Sequence, residues 1–271
     1  MRKRKLSVCQ HTLDPAQSFQ EDVDELARLG IDGITVAGPK LNGIGIKKAK
    51  RVLRDAGLTV AAYHASVGWF GMPGEYAARV AASKRRIEEG AELGAEFVLV
   101  KTGPRGAMTL EEAKRTFLSG LREALPKARE MKVPLVLEPS HPMAPWNSFV
   151  HSLHDTLDLV AGIEDMGVLM DAWHCWWDWR LLDDIRGNVR RIYNVQIDDY
   201  AKPTGPVEIT TGGPRVPPGE GMIPLKEILH TLDKAGYDRF YDVEVIGDFT
   251  PERRKTLVAD CKAWFEAVWR G

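Results

Sequence analysis

Short, mostly apolar runs alternate along this 271-residue chain with longer stretches in which apolar residues recur about every 3.6 positions. Short apolar runs bounded by turn residues are typical of buried parallel strands, and the 3.6-residue period is typical of amphipathic helices. The runs that predict strands are Lys5–Cys9, Gly33–Val36, Leu58–Tyr63, Glu96–Lys101, Val133–Glu138, Gly167–Asp171, Ile192–Gln196 and Tyr241–Glu244.

The stretches between these runs have helical periodicity. In the first of them, Phe19, Val23 and Leu26 recur at helical spacing. The predicted helices are Phe19–Leu29, Tyr76–Leu93, Leu110–Met131, Phe149–Val160, Leu225–Ala235 and Pro251–Trp269. Eight strands with helices between them favour one (β/α)8 TIM barrel over residues 1–271, since that fold typically takes about 250 residues. The first strand is not followed by a GxGxxG motif, and there is no Walker-type phosphate loop, which disfavours an open nucleotide-binding sheet.

Polar side chains stand at the carboxyl ends of the last four predicted strands. They are Glu138, Asp171, Gln196 and Glu244. In a parallel barrel the carboxyl ends of all strands meet at one face, so these side chains are expected to converge. Carboxylate and amide oxygens are the donors that hard divalent cations prefer. The sequence therefore predicts a metal site at this face.

Competing interpretations remain open at these positions. Glu138 could instead form a salt bridge at a strand end, and Asp171 could cap the helix that follows it. The competing acidic residues are Asp198 and Asp199 near Gln196, and Asp242 and Asp248 near Glu244.

The segment Asp198–Pro224 interrupts the alternation of strands and helices. It is rich in glycine and proline and contains few residues suited to a core. Loops of this length inside a compact domain are often functional. We expect this loop to lie over the carboxyl face of the barrel, above the predicted metal.

Several pieces between Leu135 and Val245 resemble the xylose-isomerase-like TIM barrel superfamily, the sugar phosphate isomerase and epimerase family. They are LEPSHPM, LMDAWHCWWD, NVQIDD and RVPPGEGMIPL, followed by GYD and DVEV. The resemblance implies that the four strand-end residues bind one divalent metal and that His174 and Arg215 bind substrate. Many members have histidine where this chain has Gln196, which shifts the expected metal towards Mn²⁺ or Mg²⁺, with Co²⁺ and Zn²⁺ as alternatives.

Three further residues are candidates for substrate binding. Lys101 ends the fourth predicted strand, His64 follows the third, and His141 lies in the EPSHP segment after the fifth. A lysine at a strand end is often simply solvated, and an isolated histidine is more often a hydrogen-bonded structural residue. Four tryptophans, Trp173, Trp176, Trp177 and Trp179, follow the sixth strand, and at least two are expected in the core or at a subunit interface.

The predicted chemistry is proton abstraction from carbon next to a carbonyl of a sugar, keto-sugar or cyclitol. The metal would act as a Lewis acid that stabilises an enediolate, while Glu138 and Glu244 move protons on either side of the substrate. Return of the proton gives isomerisation or epimerisation. Loss of a β-substituent gives a dehydratase or lyase, and the sequence does not separate these outcomes.

Composition and sequence pattern argue against several other functional classes of protein. The net charge of −1 provides no basic field for nucleic acid, which disfavours a repair nuclease on the same barrel. No apolar run approaches the length of a transmembrane helix, so no membrane association is predicted. The three cysteines form no CxxC pair, as expected in a reduced cytoplasm. A non-catalytic sugar-binding barrel is a third interpretation, and a homo-oligomer is compatible with the sequence.

Overall fold

A computed structural model describes residues 3–202 and 215–270, and in it eight parallel strands close into a barrel. The predicted (β/α)8 barrel is thus confirmed. The barrel strands are β1 Lys5–Cys9, β2 Gly33–Ala37, β3 Thr59–Gly68, β4 Val98–Lys101, β5 Leu135–Leu137, β6 Met166–Asp171, β7 Ile192–Ile197 and β10 Phe240–Val243. Neighbours around the barrel follow the order β1-β10-β7-β6-β5-β4-β3-β2. Two short strands, β8 Asp199–Tyr200 and β9 Arg215–Val216, pair antiparallel above it.

Helices connect the strands and cover the outside of the barrel. They are α1 Phe19–Arg28, α2 Gly38–Leu41, α3 Ile46–Asp55, α4 Tyr76–Leu93, α5 Leu110–Met131, α6 Leu153–Leu159, α7 Ala172–Cys175, α8 Leu181–Asn188, α9 Leu225–Ala235 and α10 Pro251–Val268, with a 3-10 turn at Val189–Arg191. Among the described helices, none combines the length and apolar character needed to cross a bilayer.

Local sequence signals fix several helix starts. A capping box starts α1, in which the Ser18 side chain accepts from the Glu21 amide while Glu21 accepts from the Ser18 amide. The predicted helix at Phe149–Val160 begins later, at Leu153, because the Ser152 hydroxyl accepts from the Asp155 amide at 3.0 Å and so caps it there.

Strand β3 is longer than predicted. It continues past Tyr63 to Gly68, and its register against β4 shifts between Tyr63 and Val67. The shift inserts extra residues into β3. His64 consequently lies within the strand and not at its end.

The barrel interior is apolar on one side and polar on the other. Apolar side chains on and beside β3 to β6 form a separate cluster, made of Ala62, Phe97, Leu99, Val136 and Leu169. On the opposite side, the buried Asp242 carboxylate accepts from the hydroxyls of Ser7 at 2.6 Å and Thr35 at 2.8 Å. Burial raises the pKa of Asp242 to about 7 despite these donors. Asp242 thus belongs to the barrel interior, below the mouth where Glu244 lies.

Candidate active site at the mouth of the barrel

Four buried carboxylates converge at the carboxyl ends of neighbouring strands. Asp171 ends β6, Glu138 and Asp198 directly follow β5 and β7, and Glu244 directly follows β10, with none more than 2% exposed. A buried carboxylate is costly unless cations or hydrogen-bond donors neutralise it. This concentration of negative charge therefore requires positive partners.

Arg215 supplies one of these partners from the long loop. Its Nη1 atom lies 3.1 Å from Asp171 Oδ2 and 3.5 Å from Glu244 Oε2, and it contacts Asp198 Oδ2. The guanidinium carbon lies 4.9 Å from the ring centre of Trp173, a cation–π distance. Burial lowers the pKa of Arg215, but the surrounding carboxylates outweigh it and raise the pKa overall. The loop thus carries Arg215 to the mouth, while residues 203–214 of the same loop lie outside the described residues.

Lys101 supplies the second positive partner. Its Nζ atom lies 2.8 Å from Glu138 Oε2 and 3.4 Å from Ser140 Oγ. Burial raises the pKa of Glu138 to about 7, with Lys101 opposing the rise and the carboxylates of Glu244 and Asp171 adding to it. Lys101 is therefore not a solvated strand-end lysine, since only 7% of it is exposed.

His174 is held in one orientation by the backbone. Its Nδ1 atom accepts a hydrogen bond from the His141 amide at 3.0 Å. Burial, together with Lys101 and Arg215, lowers the pKa of His174 well below its usual value, so the ring is neutral. A neutral imidazole carries one proton, which must then lie on Nε2. That atom is 3.6 Å from both Glu138 Oε1 and Asp171 Oδ2 and 3.5 Å from Arg215 Nη2, so it lies among the charged groups of the site.

Asp171 serves two neighbours with different oxygens. Oδ1 accepts from the backbone amides of Trp173 at 2.7 Å and His174 at 3.3 Å, which makes Asp171 the N-cap of α7. Oδ2 faces Arg215. The capping role and a role in the site are therefore compatible.

Gln196 lies deep in the barrel beside the carboxylates. It is in register with Asp171 on one side and with Asp242 on the other. Both polar atoms of its side-chain amide are buried; the amide interacts weakly with the Asp242 carboxylate, and its Oε1 atom accepts no hydrogen bond from a described residue. The Oδ1 atom of Asp198 is likewise buried and unpaired within residues 3–202 and 215–270. Unsatisfied buried oxygens next to a carboxylate cluster fit the donor set of a divalent cation.

Asp198 and Asp199 are both alternatives to Gln196 as a predicted metal ligand, but they make different contacts. Asp198 points to Arg215, whereas Asp199 shapes the loop. The Asp199 carboxylate accepts from the amides of Gly219 and Gly221, each at 3.0 Å, and of Ile223 at 2.8 Å. Asp199 is thus occupied by the backbone, which leaves Asp198 as the remaining alternative to Gln196 in the predicted metal site.

The Oε1 atom of Glu244 faces a group of different chemistry. Cys9 Sγ lies 3.3 Å from it, His11 Nδ1 3.6 Å and His64 Nδ1 3.7 Å. Burial alone would raise the pKa of Glu244, but His11 and Arg215 hold it well below its usual range. Burial lowers the pKa of His64 to about 3. Cys9 ends the first predicted strand and His11 follows it by two residues, and this strand-end position is the sequence signal that could have indicated both.

A cavity of about 380 Å³ opens above these residues. This size falls within the range of small-molecule sites. Its lining includes six of the predicted site residues, namely His64, Lys101, Glu138, His174, Arg215 and Glu244, together with His11, Asn42, Trp69, Arg86 and Asn147. Trp69 has a φ of 58°, a left-handed conformation that is rare for a bulky residue and often marks a functional site.

His141 does not line this cavity. Its ring packs 5.0 Å from the Trp173 ring and 6.2 Å from the Trp177 ring, and its Nδ1 atom accepts from the Met143 amide. The structure therefore places His141 behind His174, where its backbone amide orients that ring. Trp173 is buried and Trp176 packs against the core, as expected for at least two of the four tryptophans.

The sequence profile of the xylose isomerase-like TIM barrel family matches residues 23–267. The chain belongs to this family. A Streptomyces coelicolor protein provisionally named a hydroxypyruvate isomerase is 31% identical over 124 residues, which span 46% of this chain and 37% of that protein. The 2-oxo-tetronate isomerase of Haemophilus influenzae is 28% identical over 214 residues, or 73% of this chain and 77% of that enzyme.

Solved structures share the whole fold. A Sinorhizobium meliloti protein superposes with a TM-score of 0.87 at 28% identity, covering 98% of both chains. The IolI protein, solved with a bound zinc atom, superposes with a TM-score of 0.82 over 97% of both chains. Because IolI is only 20% identical, its likeness to this chain concerns the fold alone.

Proposed function

We propose that this protein is a divalent-metal-dependent isomerase or epimerase that moves a proton on carbon next to a carbonyl group of a sugar, keto-sugar or cyclitol. The observation that carries the proposal is the placement of Glu138 and Glu244 at the same cavity, on strands separated by β6 and β7 around the barrel. Two carboxylates facing each other across a substrate can remove a proton on one side and return one on the other.

Glu138, Asp171, Gln196 and Glu244 would hold the metal. A divalent cation there would supply Lewis-acid polarisation of the substrate carbonyl. The oxygen-only donor set favours Mn²⁺, with Mg²⁺, Co²⁺ or Zn²⁺ as alternatives. Asp198 is the substitute if Gln196 does not ligate.

The remaining polar groups would bind and orient the substrate. His174 presents its Nε2 proton to a substrate oxygen, and Lys101 keeps a positive charge beside Glu138. Arg215 offers planar paired donors suited to a carboxylate or to vicinal oxygens. His64 is the remaining candidate for substrate contact. With Arg86 also at the cavity, this lining suits a small hydroxylated keto acid, as the names of the two isomerase relatives suggest.

Lyase chemistry on the same site is the alternative. Lys101 and the Nε2 proton of His174 both lie beside Glu138, at 2.8 Å and 3.6 Å from its oxygens. Either group could protonate a departing β-hydroxyl once the α-proton is removed. Isomerisation and elimination would then share the first step and differ in the second.

Proton exchange in D₂O tests the proposal whatever the final product. The metal-free protein, reconstituted with Mn²⁺, would be incubated with hydroxypyruvate, ketoses, inososes and 3-keto glycosides and followed by NMR. We expect metal-dependent deuterium at the α-carbon of at least one substrate, absent in the Glu138→Gln and Glu244→Gln variants. An unsaturated product would select the lyase alternative, and no exchange on any compound would refute the proton-transfer assignment.

A further inference from the structure

The residues around Glu244 Oε1 form a donor set unlike that of the carboxylate cluster. A thiol, two imidazoles and a carboxylate, from Cys9, His11, His64 and Glu244, have one donor atom each within 4.8 Å of one another. Cysteine and histidine are ligands of Zn²⁺ and similar soft or borderline ions. Among the described residues, the group around Asp171 differs in having no thiol and only one imidazole, that of His174, beside the carboxylates of Glu138 and Asp171. We propose that Cys9, His11, His64 and Glu244 form a second, zinc-type cation site.

The spacing of the donors fits tetrahedral coordination. Zinc binds sulfur at about 2.3 Å and nitrogen or oxygen at about 2.0–2.2 Å, so the edges of a tetrahedral site are roughly 3.3–3.7 Å long. The three measured separations from Glu244 Oε1 are 3.3 Å to Cys9, 3.6 Å to His11 and 3.7 Å to His64. The three edges that start at Glu244 Oε1 therefore already have the length that a shared zinc ion imposes, and the remaining pairs of donor atoms lie within 4.8 Å of one another.

Within the group, the Cys9 thiol donates to Glu244 Oε1 at 3.3 Å, a hydrogen bond that metal binding would replace. The Nδ1 atom of His64 is buried and makes no hydrogen bond to a residue in the described part of the chain. At 3.6–3.7 Å, the contacts of both imidazoles with Glu244 are too long for normal hydrogen bonds. His11 is exposed at the cavity, which gives an ion a path into the site. On binding, the Cys9 thiol proton would pass to solvent as the thiolate–metal bond forms.

The fold builds this site from neighbouring strands. Cys9 ends β1, and Glu244 directly follows β10, which pairs with β1 in register up to Val8 and Val243. His11 follows two residues after Cys9, and His64 comes from β3, one strand beyond β2. Glu244 belongs to both the proposed zinc site and the carboxylate cluster, since its Oε1 atom faces this group while its Oε2 atom faces Arg215 and the carboxylates.

A consequence concerns regulation and, unlike the zinc site itself, rests on the proposed function. If Glu244 moves a proton, a zinc ion on its Oε1 atom withdraws that carboxylate from catalysis. Zinc in excess should therefore inhibit the Mn²⁺-supported reaction, and the inhibition should depend on Cys9.

Cobalt substitution reads the site without any activity assay. Co²⁺ bound to a thiolate gives a near-ultraviolet charge-transfer band that oxygen and nitrogen ligands do not give. Titration of the metal-free protein with Co²⁺ should produce this band, and Zn²⁺ should bleach it. Cys9→Ser should abolish the band, whereas Cys175→Ser, which removes another buried cysteine, should retain it. Absence of the band in the wild type, or its persistence in Cys9→Ser, would overturn the proposal.

Two further measurements keep the test decisive. X-ray absorption of the zinc-loaded wild type should show a sulfur neighbour at about 2.3 Å, and a shell of nitrogen and oxygen alone would contradict the site even if Cys9→Ser failed to fold. His64→Gln should weaken cobalt binding by more than the roughly 10–100-fold typical of losing an outer partner, and an unchanged affinity would count against the site. In the α-proton exchange assays with added zinc, the exchange rate of each variant is compared with the rate of the same variant without zinc. A thiolate band without any proton exchange would refute the proposed function alone, and exchange without the band would refute the zinc site alone.

Discussion

Removal of Arg215 should destabilise the metal-free protein far more than removal of an ordinary surface arginine. The Arg215→Ala change would leave three buried carboxylates, Asp171, Asp198 and Glu244, without their shared cation. Breaking a buried ion pair by deleting one partner costs about 3–5 kcal/mol. At roughly 2–4 °C per kcal/mol, the melting temperature in chelator should fall by roughly 6–20 °C.

The matched control is Arg253→Ala. Arg253 pairs with Glu220 and Asp260 near the surface, with 30% of its side chain exposed, so its loss should cost only about 0–1 kcal/mol. Mn²⁺ should stabilise Arg215→Ala more than it stabilises the wild type, because the arginine and the metal compete for the same oxygens. Scanning calorimetry with EDTA and with Mn²⁺ measures both effects. Equal melting temperatures for Arg215→Ala and wild type in EDTA would refute the electrostatic account of the site.

Three further changes have separate readouts. Glu138→Gln and Glu244→Gln should each lower α-proton exchange at least about 100-fold, since a neutral amide is a poor base, and full exchange in both by NMR would place the base elsewhere. Gln196→His should retain the metal and shift preference towards softer ions in metal analysis, because imidazole can ligate there; loss of metal would point to Asp198 instead. Asp199→Ala should destabilise the protein by about 1–3 kcal/mol in denaturant unfolding, since four backbone amides lose their acceptor, whereas a cost no larger than that of the exposed control Asp248→Ala would contradict its structural role.

The fold and the carboxylates followed from the sequence because strand geometry is simple. Parallel strands end on one face, so a polar residue at the end of each apolar run had to lie near its counterparts. Successive residues of a strand face opposite sides, which places the side chains of Asp198 and Asp199 on different sides at the end of β7. Gln196 and Asp198 therefore share the interior side, and Asp199 points to the loop, as the structure shows.

Features that depend on tertiary contacts could not be predicted from the sequence. The position of His64 depends on an irregularity in β3 that has no clear sequence signal. His141 turns away from the cavity because the rings of Trp173 and Trp177 hold it. The left-handed conformation of Trp69 likewise depends on its surroundings.

Several sequence-based assignments stay predictions. They are the metal ligation and substrate contacts of the site residues, the cytoplasmic location, a possible homo-oligomer, and a single domain over residues 1–271.

Anomalous diffraction from crystals soaked in Mn²⁺ tests the central claim most directly. The account predicts a peak at the mouth of the barrel, with oxygens of Glu138, Asp171, Gln196 and Glu244 at about 2.0–2.6 Å from it. One of these side chains pointing away would remove that residue from the site. A peak elsewhere, or two or more of the four side chains turned away from the ion, would contradict the proposed metal centre.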